Sequence, residues 1–175
     1  MIDMLLIQGI GAIGYGTLAL SYFKKQKNQI LFMQIIAYIF FTIHYYLLSG
    51  ITGAICNLIG LFALITIYVF EKYNIKNKLL VSAFFILLLL IINIMTFQNF
   101  FSIFPLIASI IVVISFLEND ENAIRGIGVV AAVCWLISAI AYKSYVAIAF
   151  EVVTLIDVCI AFLKNQYIKK NNNNE

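Results

Sequence analysis

Residues 79–97 read LLVSAFFILLLLIINIMTF, a run of 19 residues that contains no charged side chain. A transmembrane helix needs about 20 predominantly apolar residues, because the hydrocarbon core of a bilayer is about 30 Å thick. This run therefore predicts a helix that crosses a membrane. Similar apolar runs lie on both sides of it.

The composition of the whole chain agrees with that prediction. Of 175 residues, 64% are hydrophobic and 11% are charged, and the mean hydropathy is +1.05. A soluble domain has about 25% charged residues, because its surface must face water. We therefore expect an all-α integral membrane protein with almost no soluble part.

Polar breaks divide the chain into seven apolar segments of nearly membrane-spanning length. The break at Gln98-Asn99 is the weakest, so a fold with six spans is the alternative. The predicted spans are residues 4–22, 29–48, 52–70, 79–97, 101–117, 124–141 and 145–163.

The distribution of basic residues supports seven spans and gives an orientation. Seven spans place Lys143 alone on one side and ten basic residues on the other, and an excess of Lys and Arg marks the cytoplasmic side. The N-terminus is therefore expected outside and the C-terminus in the cytoplasm. The ten residues are Lys24, Lys25, Lys27, Lys72, Lys76, Lys78, Arg125, Lys164, Lys169 and Lys170.

A shift of 94 residues aligns the first three spans with the last three. It places Ser21 on Ser115, Ala37 on Ala131, and the turn 49–50 on the turn 143–144. The fourth span is left over, which predicts two parallel three-helix bundles joined by a linker helix, a 3-1-3 plan. The predicted parts are the first bundle at 1–70, the linker at 71–99, the second bundle at 100–164 and a disordered cytoplasmic tail at 165–175.

Four residues are the candidate substrate-binding site. Phe41 and Asn57 lie about eight residues to either side of the first outer turn, and Trp135 and Glu151 lie at the matching positions of the second. At 1.5 Å per residue this is a depth of about 12 Å, near the middle of the bilayer. We expect aromatic and polar groups to face one central cavity there.

Each of these residues also has a purely structural interpretation. Phe41 is an ordinary packing residue on that view, and Asn57 joins two helices by a hydrogen bond. Glu151 differs, because an ionisable group near the midplane is costly and no Lys or Arg lies at its depth to pair with it. It is the strongest functional candidate in the sequence.

His44 and Asp157 are candidates for coupling or gating. His44 lies one turn outward from Phe41, and a buried histidine bonded to a backbone carbonyl is the alternative. Asp157 lies nearer the cytoplasm than Glu151, and an ion pair with Arg125 is its alternative role. No catalytic motif or metal-ligand spacing occurs, so we expect no enzymatic activity, no cofactor and no metal, and we expect the separated cysteines to pack in apolar surroundings.

The stretch HYYLLSGITGAICN, residues 44–57, resembles the YgjV-like family of bacterial inner-membrane proteins. Further motifs of this sequence also resemble features of that family. They are QGIG at residues 8–11, FP at 104–105, CW at 134–135, and Glu151. Gly60 stands where the family resemblance implies a basic residue. The resemblance covers nearly the whole chain and implies a location, the inner membrane, but no activity.

The 3-1-3 plan is more remotely similar to the SWEET, SemiSWEET and PQ-loop transporters. That resemblance implies a pocket residue on the second helix of each bundle and an Asn on the third, which here are Phe41, Asn57, Trp135 and Glu151. The chain lacks the Pro-Gln pair, and Glu151 replaces a second Asn, which favours a cationic or proton-coupled solute over a neutral sugar.

These observations together predict a small-solute transporter of the cytoplasmic membrane with a midplane site. The alternative is a non-transporting membrane scaffold or partner-binding subunit. The expected partners are the lipid bilayer and an unidentified small polar solute. Nucleic acid is not an expected partner, since topology explains the basic residues, and a homo-oligomer is left open.

Overall fold

The structure is a computed structural model that describes residues 3–24, 26–73, 75, 77–117 and 121–156, without the side chains of 22 and 121–125. Within these residues all regular secondary structure is helical and there is no β-strand. The predicted tail and the end of the last predicted span, including Asp157, lie outside the described residues.

In the part of the chain that the structure describes, seven α-helices follow one another, and their bounds are close to the predicted spans. Four of them are long and apolar enough to cross a membrane, and the last three are shorter apolar helices within the described residues. The helices are α1 (Met4–Tyr22), α2 (Lys27–Leu47), α3 (Ile51–Lys72), α4 (Lys78–Thr96), α5 (Ile103–Ser115), α6 (Glu121–Ala141) and α7 (Tyr145–Ile156).

The weak break between the fourth and fifth predicted spans is a real turn. The side chain of Asn99 accepts a hydrogen bond from the amide of Phe101 at 3.0 Å, and Ser102 Oγ accepts from the amide of Asn99 at 3.3 Å. This capping box closes a short 3₁₀ turn at Phe100–Ser102. The α-helix therefore begins later than predicted, at Ile103, and the described residues form two separate helices on either side of this break.

Neighbouring helices pack in chain order in the first half of the molecule. Helix α2 packs against both α1 and α3, and α5 packs against α3 and α6. Helix α4 touches α3 and α5 along a single stripe of buried residues, Ser82, Phe85, Leu89 and Asn93. Intervals of three or four residues keep this stripe on one side of the helix. Most of the remaining surface of α4 is apolar and exposed, as expected of a helix that faces lipid.

The two turns that the 94-residue shift superposes have the same backbone structure. Ser49 and Lys143 both adopt a left-handed conformation, with φ of 61° and 56°. In each turn the next amide donates to a carbonyl oxygen five residues earlier over 2.9 Å, from Gly50 to Tyr45 and from Ser144 to Ala139. This is the 6→1 bond of a Schellman helix ending.

The opposite ends of the matching helices agree as well. Ser21 ends α1 with a bond from its hydroxyl to the carbonyl oxygen three residues earlier, at 2.6 Å, and Ser115 ends α5 with the same bond at 2.7 Å. Both serines are buried. Two positions that the 94-residue shift pairs therefore make the same side-chain bond near a helix end.

Three helix ends meet at an ion-pair cluster on the predicted cytoplasmic side. Glu71 near the end of α3 binds Lys27 at the start of α2 and Lys78 at the start of α4, the latter over 2.6 Å. Two cations share one carboxylate oxygen, so the cluster ties these helices together at that end.

Candidate functional site

A cavity of about 90 Å³ lies between residues of α1, α2, α3, α5, α6 and α7. All four predicted substrate-binding residues, Phe41, Asn57, Trp135 and Glu151, lie in its wall. Two come from the first half of the chain and two from the second. The cavity thus brings together the residues that the repeat and the depth argument had selected.

The wall of the cavity is largely aromatic. Tyr15 lies at its centre, with ring centroids 4.5 Å from Phe41 and 4.7 Å from Phe150, and Tyr45 packs against Trp135 at 5.4 Å. Phe116, which directly follows α5, and Tyr38 of α2 add two further rings. These rings contact one another, which holds the wall in one shape.

Glu151 is the only acidic residue among the cavity-lining residues that the structure describes. Its side chain is buried, with 6% of the residue exposed. In the described part of the chain no group donates a hydrogen bond to its carboxyl group and no cation pairs with it. A buried carboxyl group is normally hydrogen-bonded or paired, so Glu151 has an unused capacity to bind.

Asn57 is buried and turned toward its own helix. Its Nδ2 donates to the carbonyl oxygen of Gly53 at 2.9 Å. In the described structure this hydrogen bond lies within α3, so it does not join two helices as the structural interpretation of Asn57 predicts. The bond leaves one N–H and the oxygen of the carboxamide for other partners.

Two further polar groups of the wall were missed by the sequence analysis. The Oε1 atom of Gln34 is buried and has no hydrogen-bond partner in the described structure, and the buried hydroxyl of Tyr45 lies near those of Tyr15 and Ser138. Gln34 precedes Phe41 by seven residues, two helical turns, which places both on the same face of α2. This seven-residue spacing is the sequence feature from which Gln34 could have been predicted to line the same cavity as Phe41.

His44 is not part of the cavity wall. Its Nδ1 lies 2.9 Å from the carbonyl oxygen of Ile7, and its Nε2 lies 2.7 Å from Ser144 Oγ. Since a carbonyl oxygen only accepts, Nδ1 must donate, and in the neutral ring Nε2 accepts from the serine hydroxyl. The structure shows the alternative weighed for this residue, a buried histidine bonded to backbone, and adds a link to the second half of the chain.

Gln8 makes a second link between the halves near the same end. Its Nε2 donates to the carbonyl oxygen of Lys143 at 3.3 Å, and its Oε1 accepts from the amide of Val146 at 3.2 Å. The turn between α6 and α7 is therefore bonded to α1 by Gln8 and to α2 by His44. We call this set of contacts the outer latch, since the orientation predicted from the sequence places this end outside.

Position 60, where the family resemblance implies a basic residue, leaves no room for a side chain in this arrangement. A Cβ atom at Gly60 would lie 2.7 Å from the ring of Tyr38. Any larger side chain in this arrangement would displace that ring, which also borders the cavity.

Comparisons with known proteins identify the family. The model of the Imp-YgjV family, described as bacterial inner membrane protein, matches residues 5–167. No curated protein and no solved structure matches the chain. Because the family model covers nearly the whole sequence, the chain belongs to the Imp-YgjV family of bacterial inner membrane proteins.

Proposed function

We propose that this protein is a small-solute transporter with a 3-1-3 helix plan, in which two three-helix bundles rock around a central binding site. One observation carries the proposal. The pairs Phe41 and Trp135, and Asn57 and Glu151, are each related by the 94-residue shift, and all four line one cavity. Binding sites at the interface of structural repeats are typical of secondary transporters.

The correspondence of the two halves supports a parallel repeat. The turns at Ser49 and Lys143 share one conformation, and Ser21 and Ser115 end their helices with the same bond. The narrow packed stripe of α4 supports a linker role. Scaffold proteins have no requirement for two matching halves around a cavity.

The outer latch supports a movement that opens one side. Gln8 and His44 hold the turn 143–146 by three hydrogen bonds at the end where the sequence places the outside. Rocking of one bundle against the other would break these bonds and expose the cavity. The solute on this proposal is small and polar, and is either cationic or coupled to a proton through Glu151.

Access from both sides of the membrane tests the proposal without knowledge of the solute. Ala132 is buried and lines the cavity. In a chain whose native Cys56, Cys134 and Cys159 are replaced by alanine, the thiol of Ala132→Cys should react with a membrane-impermeant thiol reagent in right-side-out vesicles and in inside-out vesicles alike. Reaction measured by mass spectrometry from one side only would contradict alternating access.

Ala147 provides the matched control. It is fully buried in the apolar core and does not line the cavity. The thiol of Ala147→Cys should therefore stay unreactive in both kinds of vesicle. A scaffold or partner-binding subunit, the second candidate, predicts that the thiol at position 132 is closed to at least one side throughout.

The proposed orientation has its own test. A reporter fused after Lys76 should lie in the cytoplasm, and a reporter fused after Lys143 should lie outside, because ten of the eleven basic residues fall on the side of the former. Activity of alkaline phosphatase and fluorescence of a cytoplasmic reporter at the two positions measure this. A cytoplasmic location of Lys143 would overturn the orientation.

A further inference from the structure

We infer that the central cavity binds a small primary ammonium ion, with its N–H groups directed at the Glu151 carboxylate and its carbon chain against the aromatic wall. This inference names the solute class of the proposed transporter. It rests on the proposed function only in that the bound ion is then transported. The binding itself follows from the chemistry of the wall.

The charge of the wall selects a cation. Glu151 is buried and has no described partner, and the described lining contains no Lys or Arg. An anionic solute would meet an unopposed carboxylate, and a neutral polyol would leave that charge uncompensated near the midplane. A cation supplies the missing partner, and charge-assisted hydrogen bonds are the stronger kind.

The unpaired polar atoms select a hydrogen-bond donor. Gln34 is 8% exposed, and its Oε1, an acceptor, has no donor among the described residues. A buried acceptor without a partner is costly. A primary ammonium group has three N–H donors whose hydrogen bonds a carboxylate can accept, whereas a quaternary ammonium ion has none.

The size and surface of the cavity limit the rest of the solute. A volume of about 90 Å³ has room for roughly six to nine water-sized groups, which is less than a hexose requires. Seven of the seventeen lining residues are aromatic. Such a wall suits a short aliphatic chain, and aromatic rings also attract the cationic head.

Three probes with the same number of non-hydrogen atoms separate these features. They are n-butylammonium, tetramethylammonium and butan-1-ol, each added to the purified full-length protein in detergent at neutral pH. Butylammonium should raise the melting temperature with a saturating dose response, while the other two should have little effect. An equal shift from tetramethylammonium would overturn the requirement for N–H donors, and an equal shift from butanol would overturn the requirement for charge.

Variants place the site. Glu151→Gln should weaken butylammonium binding about ten- to a hundredfold, since a hydrogen bond to a charged group is lost. Asp3→Asn removes a carboxylate far from the cavity and keeps the helix cap that Asp3 forms at Leu5, so its affinity should equal that of the native chain. Unchanged affinity in Glu151→Gln, or no shift by butylammonium in the native protein, refutes the inference.

A second variant keeps the test decisive if Glu151→Gln does not fold. Ala132→Leu fills part of the cavity beside the aromatic wall, so it should weaken butylammonium binding at least about tenfold. Affinity equal to that of the native chain would exclude the cavity as the binding site. If the thiol at position 132 reacts from both sides but butylammonium does not bind, the transporter proposal is supported and the ammonium inference is refuted. If butylammonium binds but the thiol reacts from one side only, the ammonium inference is supported and the transporter proposal is refuted.

Discussion

Gly11→Ala is expected to lower the free energy of unfolding by about 1–3 kcal/mol, the usual cost of overpacking a well-filled site. A Cβ atom at Gly11 would lie 2.8 Å from two ring atoms of His44. That ring cannot move away freely, because Ile7 and Ser144 hold both of its nitrogens. Thermal unfolding of the purified protein in detergent measures the loss.

Gly9→Ala is the matched control on the same helix. No atom lies within 4 Å of a Cβ placed at Gly9, so the variant should unfold at or slightly above the native temperature. A double-mutant cycle then assigns the cause. In a His44→Ala background, Gly11→Ala should cost much less, since the ring is gone. Additive losses would show that the contact between Gly11 and His44 is not responsible.

The helices were largely predictable because a membrane imposes length and polarity on each of them. The apolar run 79–97 and the helix Lys78–Thr96 differ by one residue at each end. The start of α5 was less predictable. It depends on the capping box of Asn99 and Ser102, a local set of hydrogen bonds that competes with an otherwise continuous apolar pattern.

The cavity was predictable only where depth and repeat gave independent signals. Both signals pointed to Glu151 and its partner position 57, and both residues line the cavity. Gln34 lies two helical turns before Phe41 on α2. The 94-residue shift pairs it with Gly128, which has no side chain, so the repeat did not mark position 34 as part of a site. The close contact between Gly11 and His44 depends on the distance between two helices, which the sequence pattern does not contain.

Glu151→Gln is expected to abolish transport while leaving the melting temperature unchanged or slightly raised. The carboxyl group has no described partner to lose, and the amide nearly matches its shape. Removing a charge from the membrane interior lowers the cost of folding. Transport by the protein in vesicles, driven by the proposed solute, should depend on the carboxylate because an amide carries neither the charge nor a titratable proton.

Glu71→Gln shows what a structural carboxylate does in the same assay. Glu71 binds Lys27 and Lys78 at the ends of three helices, so its loss should lower stability by about 1 kcal/mol, the upper end for partly exposed pairs. Were Glu151 structural, a buried partner would be left unpaired, and Glu151→Gln would cost roughly 1–3 kcal/mol, at least as much as Glu71→Gln. A melting temperature of Glu151→Gln at or above the native value, beside a lowered one for Glu71→Gln, assigns Glu151 to binding and Glu71 to the fold. A clear loss at Glu151 would reverse that assignment, because a carboxylate that stabilises the folded chain already has its partner and needs no solute.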